Sequence, residues 1–104
     1  MQVYKFGGAS VKDADAVKNV ISILKDNDFN EKVVVISAMG KTTNELENVI
    51  NLYYAGNSEW QKALDGLFDK HLAIMQALYT NGAFDKAVQE VKVLIEATRK
   101  FLSE

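Results

Sequence analysis

Residues 32–44 read Lys-Val-Val-Val-Ile-Ser-Ala-Met-Gly-Lys-Thr-Thr-Asn. The β-branched run Val33-Val34-Val35-Ile36 predicts a strand over Lys32–Ser37, and its unbroken apolar character predicts burial on both faces. Towards the N-terminus, Gln2–Phe6 reads as another short strand. Between the two, Val17, Val20, Ile21 and Leu24 recur at i, i+3, i+4, i+7, the stripe of an amphipathic helix, and Ser10-x-x-Asp13 could cap its start. Strand, helix, strand is most simply a crossover that makes the strands parallel neighbours.

Beyond Asn44 the apolar period is helical. Leu46, Val49, Ile50 and Tyr53 line one helix up to Gly56-Asn57. Ser58-x-x-Gln61 resembles a capping box for a second helix, lined by Trp60, Leu64, Leu67, Phe68, Leu72, Met75 and Tyr79. A third follows Asn81-Gly82, with Phe84, Val88, Val91, Ile95 and Leu102 on one face and Lys86, Glu90, Lys92 and Arg99 for the wet side. The fold class is therefore α/β, two parallel strands with one crossover helix followed by three helices. Both strands need further partners, so the chain reads as part of a larger α/β sheet.

Composition narrows the chemistry. The 104 residues leave room for one core, and a net charge of −2 makes neither nucleic acid nor an anionic membrane the default partner. Zero cysteines and one histidine exclude disulfides, thiolate nucleophiles and the usual zinc sets, and fit a reducing cytoplasm. No apolar run reaches the roughly 18 residues of a membrane span, and the N-terminus lacks a signal-peptide layout. Zero prolines leave long helices uninterrupted.

Two loops carry the candidate chemistry. Lys5-Phe6-Gly7-Gly8-Ala9-Ser10 lies where the first strand ends and the first helix has yet to start. Glycines there let backbone N–H groups converge on phosphate oxygens, and Lys5 adds a positive charge. The plainer alternative is a tight glycine turn with its lysine in solvent. Ser37-Ala38-Met39-Gly40-Lys41-Thr42-Thr43-Asn44 follows the other strand. Gly40-Lys41-Thr42 is not a P-loop, because the required earlier glycine falls on Val35. Thr42, Thr43 or Asn44 could instead cap the next helix, with Glu45 or Glu47 completing a box. Parallel strands bring both loops to one sheet edge, where ligands of open α/β sheets bind.

The opening Val-x-Lys-Phe-Gly-Gly-x-Ser-Val, followed after the helix by Val-Val-Val-x-Ser-Ala-Met-Gly-Lys-Thr-Thr-Asn, closely resembles the N-terminus of aspartate kinases in the amino-acid kinase superfamily. The resemblance is strongest over residues 2–50. It implies the N-terminal part, residues 1–104, of a truncated amino-acid kinase (carbamate kinase-like) domain. The implied reaction is phosphoryl transfer from ATP, carrying its own Mg²⁺, to the side-chain carboxylate of L-aspartate, as the first step of lysine, threonine and methionine biosynthesis.

By the same resemblance Lys5 is the catalytic cation, and Lys5, Gly7, Gly8 and Ser10 hold the ATP phosphates. Ser37 and Thr43 contact aspartate, and no residue is assigned to metal. Ala9 stands where the family usually has threonine, and Lys41 steers anions at most. The isolated chain is expected to be inactive, and a homo-oligomer is expected. A noncatalytic helical association module, or a related kinase for another carboxylate, are the competing readings. His71 reads as a hydrogen-bonded packing residue, Trp60, Tyr53, Tyr54, Phe68 and Met75 as core or interface, and Asp13/Asp15 and Asp26/Asp28 as helix-end and loop charges rather than metal ligands.

Overall fold

The computed structural model describes residues 1–26 and 31–104. In chain order these are strand β1 (Gln2–Phe6), a 3₁₀ turn (Gly8–Val11), helix α1 (Ala14–Asp26), strand β2 (Lys32–Ile36), and helices α2 (Thr42–Tyr54), α3 (Trp60–Leu78) and α4 (Ala83–Ser103). The α/β class and the element order follow the sequence reading, with β2 one residue shorter. The chain forms two compact units, residues 1–42 and 43–104. Each has its own apolar cluster, where the length had suggested a single core.

In the first unit β1 and β2 pair in parallel, with Gln2 opposite Lys32 and Phe6 opposite Ile36. Side chains alternate across a strand, so Tyr4 and Phe6 share one face and Val3 and Lys5 the other. The rings of Tyr4 and Phe6 stack at 6.2 Å between centroids. Buried Phe6, Val11 and Val20 form the cluster, joined by Tyr4, Val17, Ile23, Leu24 and Met39.

The expected burial of β2 on both faces is not met, since Val33–Ile36 are 39–54% exposed. One strand and one helix cover only part of a strand that is apolar on both sides. Helix α1 is capped by Asp13, whose Oδ1 accepts the Ala16 N–H at 2.8 Å. Ser10 lies earlier, inside the 3₁₀ turn, and is not that cap. Asp15 lies in the first turn, where a carboxylate suits the helix dipole. Asp28 falls outside the described residues.

In the second unit α2 closes on Gly56, at φ +71°. The Asn57 N–H donates to the Leu52 carbonyl and the Gly56 N–H to that of Tyr53, the paired bonds of a Schellman end. Asn57 Oδ1 accepts the Glu59 N–H and Asn81 Oδ1 the Ala83 N–H, each at 3.0 Å, just ahead of α3 and α4. An asparagine turn thus replaces the capping box expected of Ser58 and Gln61.

Val49, Trp60 and Leu64 form the core, with Leu52, Tyr53, Ala63, Ile95 and Leu102 packed on it. Tyr53 meets Trp60 edge to face at 6.0 Å and Tyr54 at 5.6 Å, in keeping with packing roles for these rings, although Tyr54 remains exposed. His71 Nδ1 lies 2.9 Å from the Leu67 carbonyl within its own helix, in keeping with a packing role. Leu64 is fully buried. Leu64→Ala is expected to destabilise the second unit by about 2–5 kcal/mol, read as an earlier urea midpoint in Trp60 fluorescence.

Candidate functional site

The parallel register ends with Phe6 beside Ile36, so both following loops leave the sheet at the same edge. The Ser37 N–H donates to the Phe6 carbonyl at 3.0 Å, which extends the pairing by one bond and sets Ser37 next to the start of the glycine loop. Beyond it the chain bends until the Gly40 N–H donates to the Gly8 carbonyl, also at 3.0 Å. The two loops are therefore joined backbone to backbone within the first unit.

Glycine is required at both ends of that bond, for different reasons. A Cβ on Gly8 would stand 2.6 Å from the Gly40 oxygen and 3.3 Å from that of Ala38, too close for any side chain. Gly40 itself has φ +54°, a left-handed conformation that side-chain-bearing residues seldom adopt. A Cβ there would meet Lys12 at 3.7–3.8 Å, so the second loop rests against the residue that ends the 3₁₀ turn. Gly7 differs from both. Its backbone is extended, and a Cβ would find nothing within 4 Å. The space before Gly7 is open to a ligand.

The sequence-derived residues occupy this edge as follows. Lys5, Gly7, Ser10 and Ser37 are exposed and Gly8 is half-buried. Lys5 stands on the sheet face opposite Tyr4 and Phe6. The Ser10 N–H donates to the Gly7 carbonyl at 3.0 Å and closes the 3₁₀ turn, so that donor is already used. Gly8 and Ala9 lead the turn, where N–H groups have no acceptor within the helix.

Thr42 Oγ1 donates to the Met39 carbonyl at 2.5 Å and ties the second loop to the start of α2. Thr43, the second residue of α2, opens the second unit and is exposed there. Arg99 is engaged elsewhere, pairing with Asp65 of α3 and, at 3.4 Å, with Glu96 of its own helix. Among the described residues no group of three His, Cys, Asp or Glu could hold a metal, and no helix is long and apolar enough to cross a membrane.

Gly40 is the residue that sequence reasoning undervalued. Its signal was a glycine closing a strand-end loop before Lys41, which a motif reading treats as a failed P-loop. Gly8→Ala is expected to break the Gly8–Gly40 bond and cost about 1–3 kcal/mol, with faster amide exchange at Gly40. Gly7→Ala should change stability by less than about 0.5 kcal/mol. Equal melting temperatures for the two variants would contradict this assignment.

The profile of the Amino acid kinase family matches residues 1–101. A bifunctional aspartokinase/homoserine dehydrogenase from the chloroplast of Daucus carota is 33% identical over 69 residues, which is 66% of this chain and 8% of that protein. The chloroplastic aspartokinase 2 of Arabidopsis thaliana is 48% identical over 44 residues, 42% of this chain and 8% of that protein. An aspartokinase of Rickettsia conorii is 39% identical over 51 residues, 47% of this chain and 13% of that protein. The chain thus spans a small part of the length of each of these relatives. With the family profile covering residues 1–101, both glycine loops and all but the last two residues of the helices included, the chain belongs to the amino acid kinase family.

Proposed function

We propose that this chain supplies the phosphate-binding half of an aspartate kinase active site, as the N-terminal part of one catalytic domain. The observation that carries the reading is the Gly40–Gly8 backbone bond, which ties two glycine loops together at the C-terminal edge of a parallel sheet. The aspartokinase relatives support the choice of substrate. The exposed strand faces of β2 support the placement within a larger sheet.

In the reaction an oxygen of the aspartate side chain attacks the γ-phosphorus of ATP. The bond from that phosphorus to the β,γ-bridging oxygen breaks, and ADP leaves with the electron pair. With a pKa of about 3.9 the attacking carboxylate is already ionised at neutral pH, so no general base is needed. Two anions must nevertheless be brought together while charge builds on the leaving oxygens.

Lys5 supplies a mobile positive charge for the transferring phosphoryl group. Open Gly7 admits the phosphates to the backbone, and the leading N–H groups at Gly8 and Ala9 donate to them. Ser10 contributes through its side chain and position, since its N–H is committed to Gly7. Ser37 and Thr43 offer hydroxyls to aspartate, a role taken from the loop motif. Magnesium, carried in with ATP rather than held by residues of this chain, would supply further charge neutralisation. The setting is the cytoplasm, and the chain self-associates.

Titration of the ¹⁵N-labelled chain with MgATP is expected to move the amide signals of Gly7, Gly8 and Ala9 first. Shifts elsewhere with these three unmoved would refute the phosphate site. In the active enzyme that contains this segment, Lys5→Ala is expected to lower kcat about 10²–10³-fold, and an unchanged turnover would remove Lys5 from the mechanism. Gly7→Ala should raise the KM for ATP while leaving the melting temperature in place.

A further inference from the structure

Helix α4 is apolar on two sides. Ile95 and Leu102 pack on the core of the second unit, while on the opposite side Val93, Leu94 and Phe101 are 60%, 68% and 77% exposed. That outward stripe carries a charge pattern. Lys86, Glu90, Val93, Ala97 and Lys100 recur along the helix at alternating spacings of four and three residues, Glu104 continues the series just past its end at Ser103, and all six are exposed. Such spacing lays them along one seam of the helix, with Leu94 and Phe101 bordering it.

We propose that this seam binds a second copy of the chain through an antiparallel α4–α4 pair. With a two-fold axis level with residue 95, Glu90 faces the partner's Lys100, Lys86 faces the partner's Glu104, and Val93 faces the partner's Ala97. Two-fold symmetry repeats each contact, so four opposite-charge pairs flank a small apolar centre. Other arrangements lose this match. A parallel pair sets each charge against its own copy. A slip of one turn sets Glu90 against the partner's Glu104, or in the other direction Lys86 against the partner's Lys100. Ala97 at the middle lets the two helices come close, and Phe101 and Leu94 cover the border of the seam. The pairing requires nothing of the phosphate loops.

Sedimentation velocity of the 104-residue chain across a concentration series tests the pairing. A dimer is expected whose dissociation constant rises with salt. Glu90→Lys and Lys100→Glu, both on the exposed face, are each expected to weaken it at least about tenfold, because each turns two attractive contacts repulsive. The double variant E90K/K100E is expected to recover dimerisation, and the two single variants mixed together to form a heterodimer. Circular dichroism verifies the helical content of every variant. A chain that stays monomeric throughout overturns the proposal, as does a dimer that ignores the single swaps or is not restored by the double one.

Discussion

One backbone hydrogen bond, from the Gly40 N–H to the Gly8 carbonyl, joins the two loops to which the phosphate site is proposed to belong. It forms because both strands end at the same level and because neither loop carries a Cβ at the point of contact. The Ser37 N–H bond to the Phe6 carbonyl already joins the loops where they leave the strands, and the Gly40–Gly8 bond adds a second tie further out. Joined, they hold Gly7, Ser37 and the start of the 3₁₀ turn in one fixed arrangement. A phosphate site made of main-chain donors depends on that rigidity, since N–H groups must be aligned before the anion arrives if they are to stabilise it without reorganisation.

The second unit contributes differently. Its core is built from Val49, Trp60 and Leu64, and its ion pairs, Lys70 with Glu45 and Arg99 with Asp65 and Glu96, link or decorate its own helices. The carboxylate partners of Arg99 thus lie within the second unit itself. The apolar residues left on the outer side of α4 contribute nothing to that core. Exposed apolar area of this kind gains its free energy only on association, which distinguishes it from the buried stripe on the same helix.

Much of the architecture was legible because periodicity depends only on local geometry. Strand β1, helix α1 and the three later helices follow from alternation and the i, i+3, i+4 stripe. The caps were less legible. Asp13 rather than Ser10 starts α1, and Asn57 rather than Ser58 precedes α3, because several polar residues stand within reach of each helix start and backbone path selects among them. The burial of β2 was misread for a related reason. An apolar run records what a strand can bury, and exposure depends on which neighbours lie against it.

By itself the sequence determined the α/β order, the parallel crossover and the two glycine loops at strand ends, since each rests on steric preferences of residues close together in the chain. Tertiary structure alone decided that Gly8 touches Gly40, that Gly7 stays open, and that Arg99 is occupied by Asp65. Those contacts join residues far apart in the chain. Nothing local encodes them, and they exist only once strand register and helix packing have set the distances.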